Sequence, residues 1–147
     1  MKDNDPMRAF AALLETVGVG ILTTIGEDGY PRSRWMTAAT IAREHGYLYC
    51  VSVAGTRKVR DLEKNDKVEW SIQSPSLDQV VQLQGRAVCM DNPQLKAEVL
   101  EALGSNLENF WRVNPDPRKL IVIETAIEKI KLYKPMENLI TEKELAE

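Results

Sequence analysis

The stretch Tyr47-Leu48-Tyr49-Cys50-Val51-Ser52-Val53-Ala54-Gly55-Thr56-Arg57-Lys58-Val59-Arg60 organises the chain. Its first half is an apolar run that reads as a buried strand. Gly55 marks a turn, and Val59 and Leu62 with the charges around them read as a short helix over 56–63. A strand, a glycine turn and a helix start place backbone N–H groups where they can hold an anion. Thr56 is the expected N-cap. Arg57, Lys58 and Arg60 crowd the first helical turn, where the dipole is already positive and acidic residues are the usual choice. A bound phosphate would supply the missing negative charge. A solvated basic face balanced in part by Asp61 and Glu63 is the plainer alternative.

Outward from that stretch, Asp5-Pro6 starts a helix with Phe10, Leu13, Leu14 and Val17 on one face, and Gly18 ends it. Val19 to Ile25 is a β-branched strand, Glu27-Asp28-Gly29 a hairpin turn, and Tyr30 to Ile41 the return strand. Period two places Arg32, Arg34, Met36 and Ala38 on one face of it, and Ser33, Trp35, Thr37 and Ala39 on the other. Arg34 is either a surface arginine on a half-exposed sheet or an arginine aimed at a phosphate. Expected as hairpin neighbours, the second and third strands would bring Arg34 together with Ser52, Thr56, Arg57 and Lys58.

Val68, Trp70 and Ile72 alternate with polar residues in a one-sided strand. Gln79 to Met90 is a longer one, with Gln82, Gln84 and Arg86 on a polar face. Asn92-Pro93 begins a second amphipathic helix, carrying Leu95, Val99, Leu100 and Leu103 and stopped by Gly104. Leu107, Phe110 and Trp111 suggest one more helical turn, with Trp111 read as core. Asn114-Pro115-Asp116-Pro117 is a rigid break. Leu120 to Ile123 is a strand that Glu128 to Tyr133 continues or supplements. The charged tail from Pro135 lacks strand periodicity and is expected to be loosely ordered or to pack on a partner. The expected fold is mainly β with flanking helices: one domain over 1–147 whose roughly six short strands form a closed or nearly closed antiparallel barrel.

Composition narrows the function. The 147 residues carry a formal net charge of −3, which disfavours a general nucleic-acid partner. The two cysteines, Cys50 and Cys89, read as buried thiols in a reducing cytoplasm. His45 is the sole histidine and sits in a turn, which argues against zinc or haem. No apolar run is long enough to span a bilayer. No nucleophile elbow, HExxH, Walker A or dinucleotide fingerprint is present. A phosphate anchor without a catalytic side chain points to a bound cofactor that carries the chemistry.

The ordered motifs Gly29-Tyr30-Pro31-Arg32-Ser33-Arg34, Tyr47-Leu48-Tyr49, Gly55-Thr56-Arg57-Lys58, Val81-Gln82-Leu83-Gln84-Gly85-Arg86-Ala87 and Asn114-Pro115-Asp116-Pro117 resemble the pyridoxamine 5′-phosphate oxidase-like FMN-binding split-barrel proteins, especially the general stress protein branch. The resemblance spans roughly residues 7–134. It implies a six-stranded antiparallel split barrel and a homodimer with FMN between the subunits. Arg34 and Lys58 would then pair with the FMN phosphate, helped by Ser52, Thr56 and Arg57. The backbone of Trp35, Met36 and Thr37 would run along the isoalloxazine ring, with Val51 beside it and Gln82 contacting the cofactor. The chain lacks the Arg-, Trp- and His-rich C-terminal segment with which true pyridoxamine phosphate oxidases bind substrate. The resemblance thus implies a flavin-dependent oxidoreductase of unknown substrate. The alternatives are a non-catalytic flavin-binding module and a protein using the deazaflavin F420.

Overall fold

The computed structural model describes residues 4–42, 44–104 and 117–145. Helix α1, Pro6–Val17, begins where Asp5 accepts a hydrogen bond from the Arg8 amide and ends at Gly18, whose φ of 73° closes the cap. Its face of Phe10, Leu13 and Leu14 is buried in the main core. Strands β1 (Val19–Ile25) and β2 (Pro31–Thr37) form the expected hairpin. Gly29 supplies the positive φ its turn requires. Strand β3 is Tyr47–Val53, helix α2 Arg57–Lys64, strand β4 Lys67–Gln73 and strand β5 Val80–Met90. Helix α3, Pro93–Leu103, is capped by the Asn92 side chain, which accepts from the amides of Gln94 and Leu95. The expected turn at Leu107, Phe110 and Trp111, and the break at 114–116, lie outside the described residues.

Among the described residues the split barrel has seven strands rather than six, and it is not closed. Strand β6, Leu120–Lys134, is a single element where the sequence left one strand or two open. It pairs with β5 along its length, with β3 through its first half, and with β7, Leu139–Glu144, through its second. The tail is therefore no loose end. Asn138, at φ 50°, turns the chain back after Lys134, and main-chain pairing needs no apolar side chain to form a strand. Charges hid that strand: Glu142 meets Lys129 across the ladder at 3.4 Å.

The segment after Tyr30 also departs from expectation. It pairs with β1 only as far as Thr37, and Ala39 then forms a single bridge with Tyr49 of β3. β2 and β3 are thus the two ends of the strand path β2-β1-β4-β5-β6-β3, not hairpin neighbours. The sheet curls until these ends face each other, and the barrel is split between them.

Inside the curl lies a core that includes Leu22, Leu48, Cys50, Trp70, Ile72, Leu83, Ile123 and Ile130. Trp70 Nε1 donates to Thr125 Oγ1 at 3.1 Å, which satisfies two polar groups that are fully buried. A second apolar cluster lies where Tyr49, Val51 and Val122 meet Val99 and Leu103 of α3.

Candidate functional site

The site lies where β2 faces the end of β3 and the start of α2. Alternation on β3 turns Cys50 and Ser52 inward and sends Tyr49 and Val51 towards α3. Ser52 is buried, an unusual place for a hydroxyl, and Lys58 answers it: Nζ donates to Ser52 Oγ at 2.9 Å. Thr56 Oγ1 lies 3.3 Å from the same Ser52 oxygen. Thr56 occupies the N-cap position of α2, but its side chain makes no capping hydrogen bond. The first-turn amides of α2 therefore have no side-chain cap, and the dipole there remains positive.

From the other side, Arg34 projects from β2 into the barrel end. Its Nη1 donates to Thr24 Oγ1 at 2.9 Å and to the Leu22 carbonyl at 3.3 Å. These contacts fix the guanidinium against β1. Burial lowers the Arg34 pKa, the nearby Asp61 charge offsets part of that, and Arg32 adds to the lowering. Burial also lowers the Lys58 pKa, and the Arg34 charge lowers it further. Two partly desolvated cations, Lys58 further opposed by the Arg34 charge, make a corner that can accept an anion.

The Cys50 thiol lies within the field of both cations. Burial nonetheless pushes its pKa up to about 12. It is a neutral wall of the site, not a nucleophile. Cys89 is only half-buried, in contrast to the sequence reading.

Arg34, Ser52, Thr56 and Lys58 are thus brought together, by closure of the barrel rather than by a hairpin. Arg57 is exposed and lines a concavity of about 350 Å³ with Glu27, Arg32, Arg60 and Asp61, next to Arg34, whose guanidinium feels the charges of both Asp61 and Arg32. Val51 does not share the Ser52 face. Met36 packs against the main core, and Trp35 stands 64% exposed on the outside of β2. Thr37 ends β2, where the chain leaves β1 for β3. Gln82 is also outside: the register Trp35–Ile21–Ser71–Gln82 places it in the same cross-sheet row as Trp35, three strands away.

Asp61 was missed as a site residue. It is 1% exposed, and its Oδ2 lies 3.8 Å from Arg32 Nε. The signal was available: on a helix, positions 58 and 61 share a face, so a Lys58 turned inward carries Asp61 with it. Among the described residues, no group of three or more His, Cys, Asp or Glu could hold a metal ion, and no helix is long and apolar enough to cross a membrane.

The model of the pyridoxamine 5′-phosphate oxidase family matches residues 7–134. No curated protein matches the sequence. Solved structures share the fold. A Clostridium acetobutylicum protein related to general stress protein 26 superposes with a TM-score of 0.76 at 18% identity, over 98% of this chain and 97% of that one. General stress protein 26 of Bacillus anthracis gives 0.70 at 19% identity, over 92% and 98%. A haem-binding protein of Mycobacterium smegmatis gives 0.76 at 15% identity, over 98% of this chain and 60% of that one.

Proposed function

The chain belongs to the pyridoxamine 5′-phosphate oxidase family, and from that premise we propose that it binds FMN through the phosphate and works as a flavin-dependent oxidoreductase. The observation that carries this reading is the meeting of Arg34, Lys58, Ser52 and Thr56 at an uncapped helix start. These groups suit a phosphate: two cations, two hydroxyls and a positive dipole end. Arg34 and Lys58 are anchors, and no side chain of the site is placed for acid–base work. The flavin itself would supply the redox chemistry, by exchanging electrons at its ring.

The remaining contacts of the proposed site follow from the same placement. β2 pairs with β1 on one side only, so its other edge offers backbone N–H and C=O groups beside residues 35–37, where the ring would run. Gln82 and Trp35 lie on the outer sheet face, away from the phosphate corner. A role for Gln82 at the cofactor therefore requires a second subunit, which fits a homodimer with the flavin between its subunits. Val51 would contribute through its backbone, since its side chain packs towards α3.

The test is flavin retention. Purified protein is mixed with excess FMN, desalted, and its visible spectrum recorded, with Arg34→Ala and Lys58→Ala beside it. Removing either charge-assisted contact should remove roughly 1.5–3 kcal/mol and weaken FMN at least about tenfold. Unchanged affinity in both variants would show the assignment to be wrong. Retained FMN that neither NADH nor NADPH reduces would favour a binding module over an enzyme. Competition by F420 separates the deazaflavin alternative. The only imidazole, His45, is exposed in a turn, so haem has weaker support here than flavin.

A further inference from the structure

Among the described residues Asp61 is the one buried acidic side chain, and it lies beneath a corner built from cations. Its side chain is 2% exposed, and Arg32 beside it is 23% exposed. The two groups face each other at 3.8 Å, yet neither Asp61 Oδ2 nor Arg32 Nε makes a hydrogen bond. Arg32 is also held by Asp28 at 3.2 Å, a contact on the exposed side. Gly26 allows this placement, because a Cβ there would run into the Arg32 guanidinium. Arg32 and Arg34 share the inward face of β2, and Lys58 shares a helix face with Asp61. A buried carboxylate without a full set of hydrogen bonds is expensive, so its retention calls for an electrostatic reason.

We propose that Asp61 is a built-in counterion that sets the charge of the phosphate anchor: with Arg32, Arg34 and Lys58 it leaves the corner two positive charges, the complement of a terminal phosphate monoester. Such a phosphate carries about −1.5 to −2 near neutral pH. The exposed charges of Asp28, Glu27, Arg57 and Arg60 are screened by solvent and count for less. When phosphate arrives, the charges of corner and ligand come close to cancelling. This inference rests on the phosphate-binding reading above.

A charge ladder tests it. Arg32→Gln leaves the corner one positive charge, Asp61→Asn leaves three, and the double variant returns it to two. FMN affinity should rise from Arg32→Gln, through wild type and the double variant together, to Asp61→Asn, by roughly threefold or more per step. Riboflavin, which lacks the phosphate, should bind all four proteins alike. Both affinities are read from quenching of flavin fluorescence. A purely structural Asp61 gives another order, in which both single variants bind FMN more weakly than wild type; that order overturns the proposal. Should Asp61→Asn not fold, the double variant must still bind FMN more tightly than Arg32→Gln, and equal binding overturns the proposal as well. A wild-type protein with no preference for FMN over riboflavin removes the phosphate anchor itself, and the counterion with it. A clear wild-type preference with a flat ladder removes only the counterion.

Discussion

Lys58 Nζ donates to Ser52 Oγ at 2.9 Å, tying the first turn of α2 to the end of β3 across the Gly55 turn. The bond spans six residues of chain and closes the loop of the proposed anion site. Ser52 can accept from Lys58 and still donate its own proton outward, so one buried hydroxyl both positions the ammonium and offers a contact to a ligand.

Ser52→Ala removes both roles while leaving every charge in place. FMN affinity should fall about tenfold, the scale of a lost hydrogen bond to a charged group. Titration of the variant by flavin fluorescence checks this. An unchanged affinity would mean that Ser52 neither positions Lys58 for the ligand nor contacts it.

The Trp70–Thr125 hydrogen bond joins β4 to β6 across the barrel interior. Thr125→Val keeps the shape and removes the acceptor, leaving the Trp70 indole N–H buried without a partner. The expected loss is about 1–3 kcal/mol of stability, read from urea unfolding. FMN affinity should hold, because neither residue touches the anchor.

Gly85 sits at the irregularity between β5 and β6, where a Cβ would overlap the Ala126 carbonyl. Backbone cannot move aside as a side chain can. Gly85→Ala should therefore destabilise the fold by roughly 1–3 kcal/mol, measured by thermal or urea unfolding. A neutral result would show that β6 shifts freely at this point.

Cys50 gives a pH dependence of definite sign. Its thiol is raised from 9.0 to about 12 in the folded chain by burial. Above pH 9 the unfolded chain loses this proton while the folded chain keeps it. Stability should thus fall as pH rises from 9 towards 12. Lys58 acts in the opposite sense: its lowered pKa makes the folded chain release a proton first, so rising alkaline pH relieves the strain of burying its charge. The difference in unfolding free energy between wild type and Cys50→Ala across this range isolates the Cys50 decline, since Cys89 and Tyr49, whose raised pKa values act in the same sense, are present in both. Thiol labelling at pH 8 should reach Cys89 well before Cys50.

The local elements were legible because their signals are local. Asp5-Pro6 and Gly18 bound α1, Asn92-Pro93 starts α3, and the alternation of Val68, Trp70 and Ile72 marks β4. Strand β7 was not, because Glu142, Lys143 and Glu144 have no apolar periodicity and pairing there rests on backbone. Within the site, Arg34 and Lys58 stood out as cations where the local chain gave no reason for them. Asp61 did not, since an acidic residue on a short charged helix is ordinary until its burial is known.

Most of the helices and strands, the hairpin of β1 and β2 and the family were readable along the chain, and Arg34 and Lys58 were singled out there as candidates to meet a phosphate. These follow from periodicity, caps and turn residues, each read within a few positions. Only the tertiary structure decided that β2 and β3 are opposite ends of one sheet, meeting at the single Ala39–Tyr49 bridge. It also sent Val51 towards α3 and brought Asp61 beneath the arginines. The physical reason is that sheet closure and helix docking depend on contacts between residues far apart in the chain, which no local pattern records.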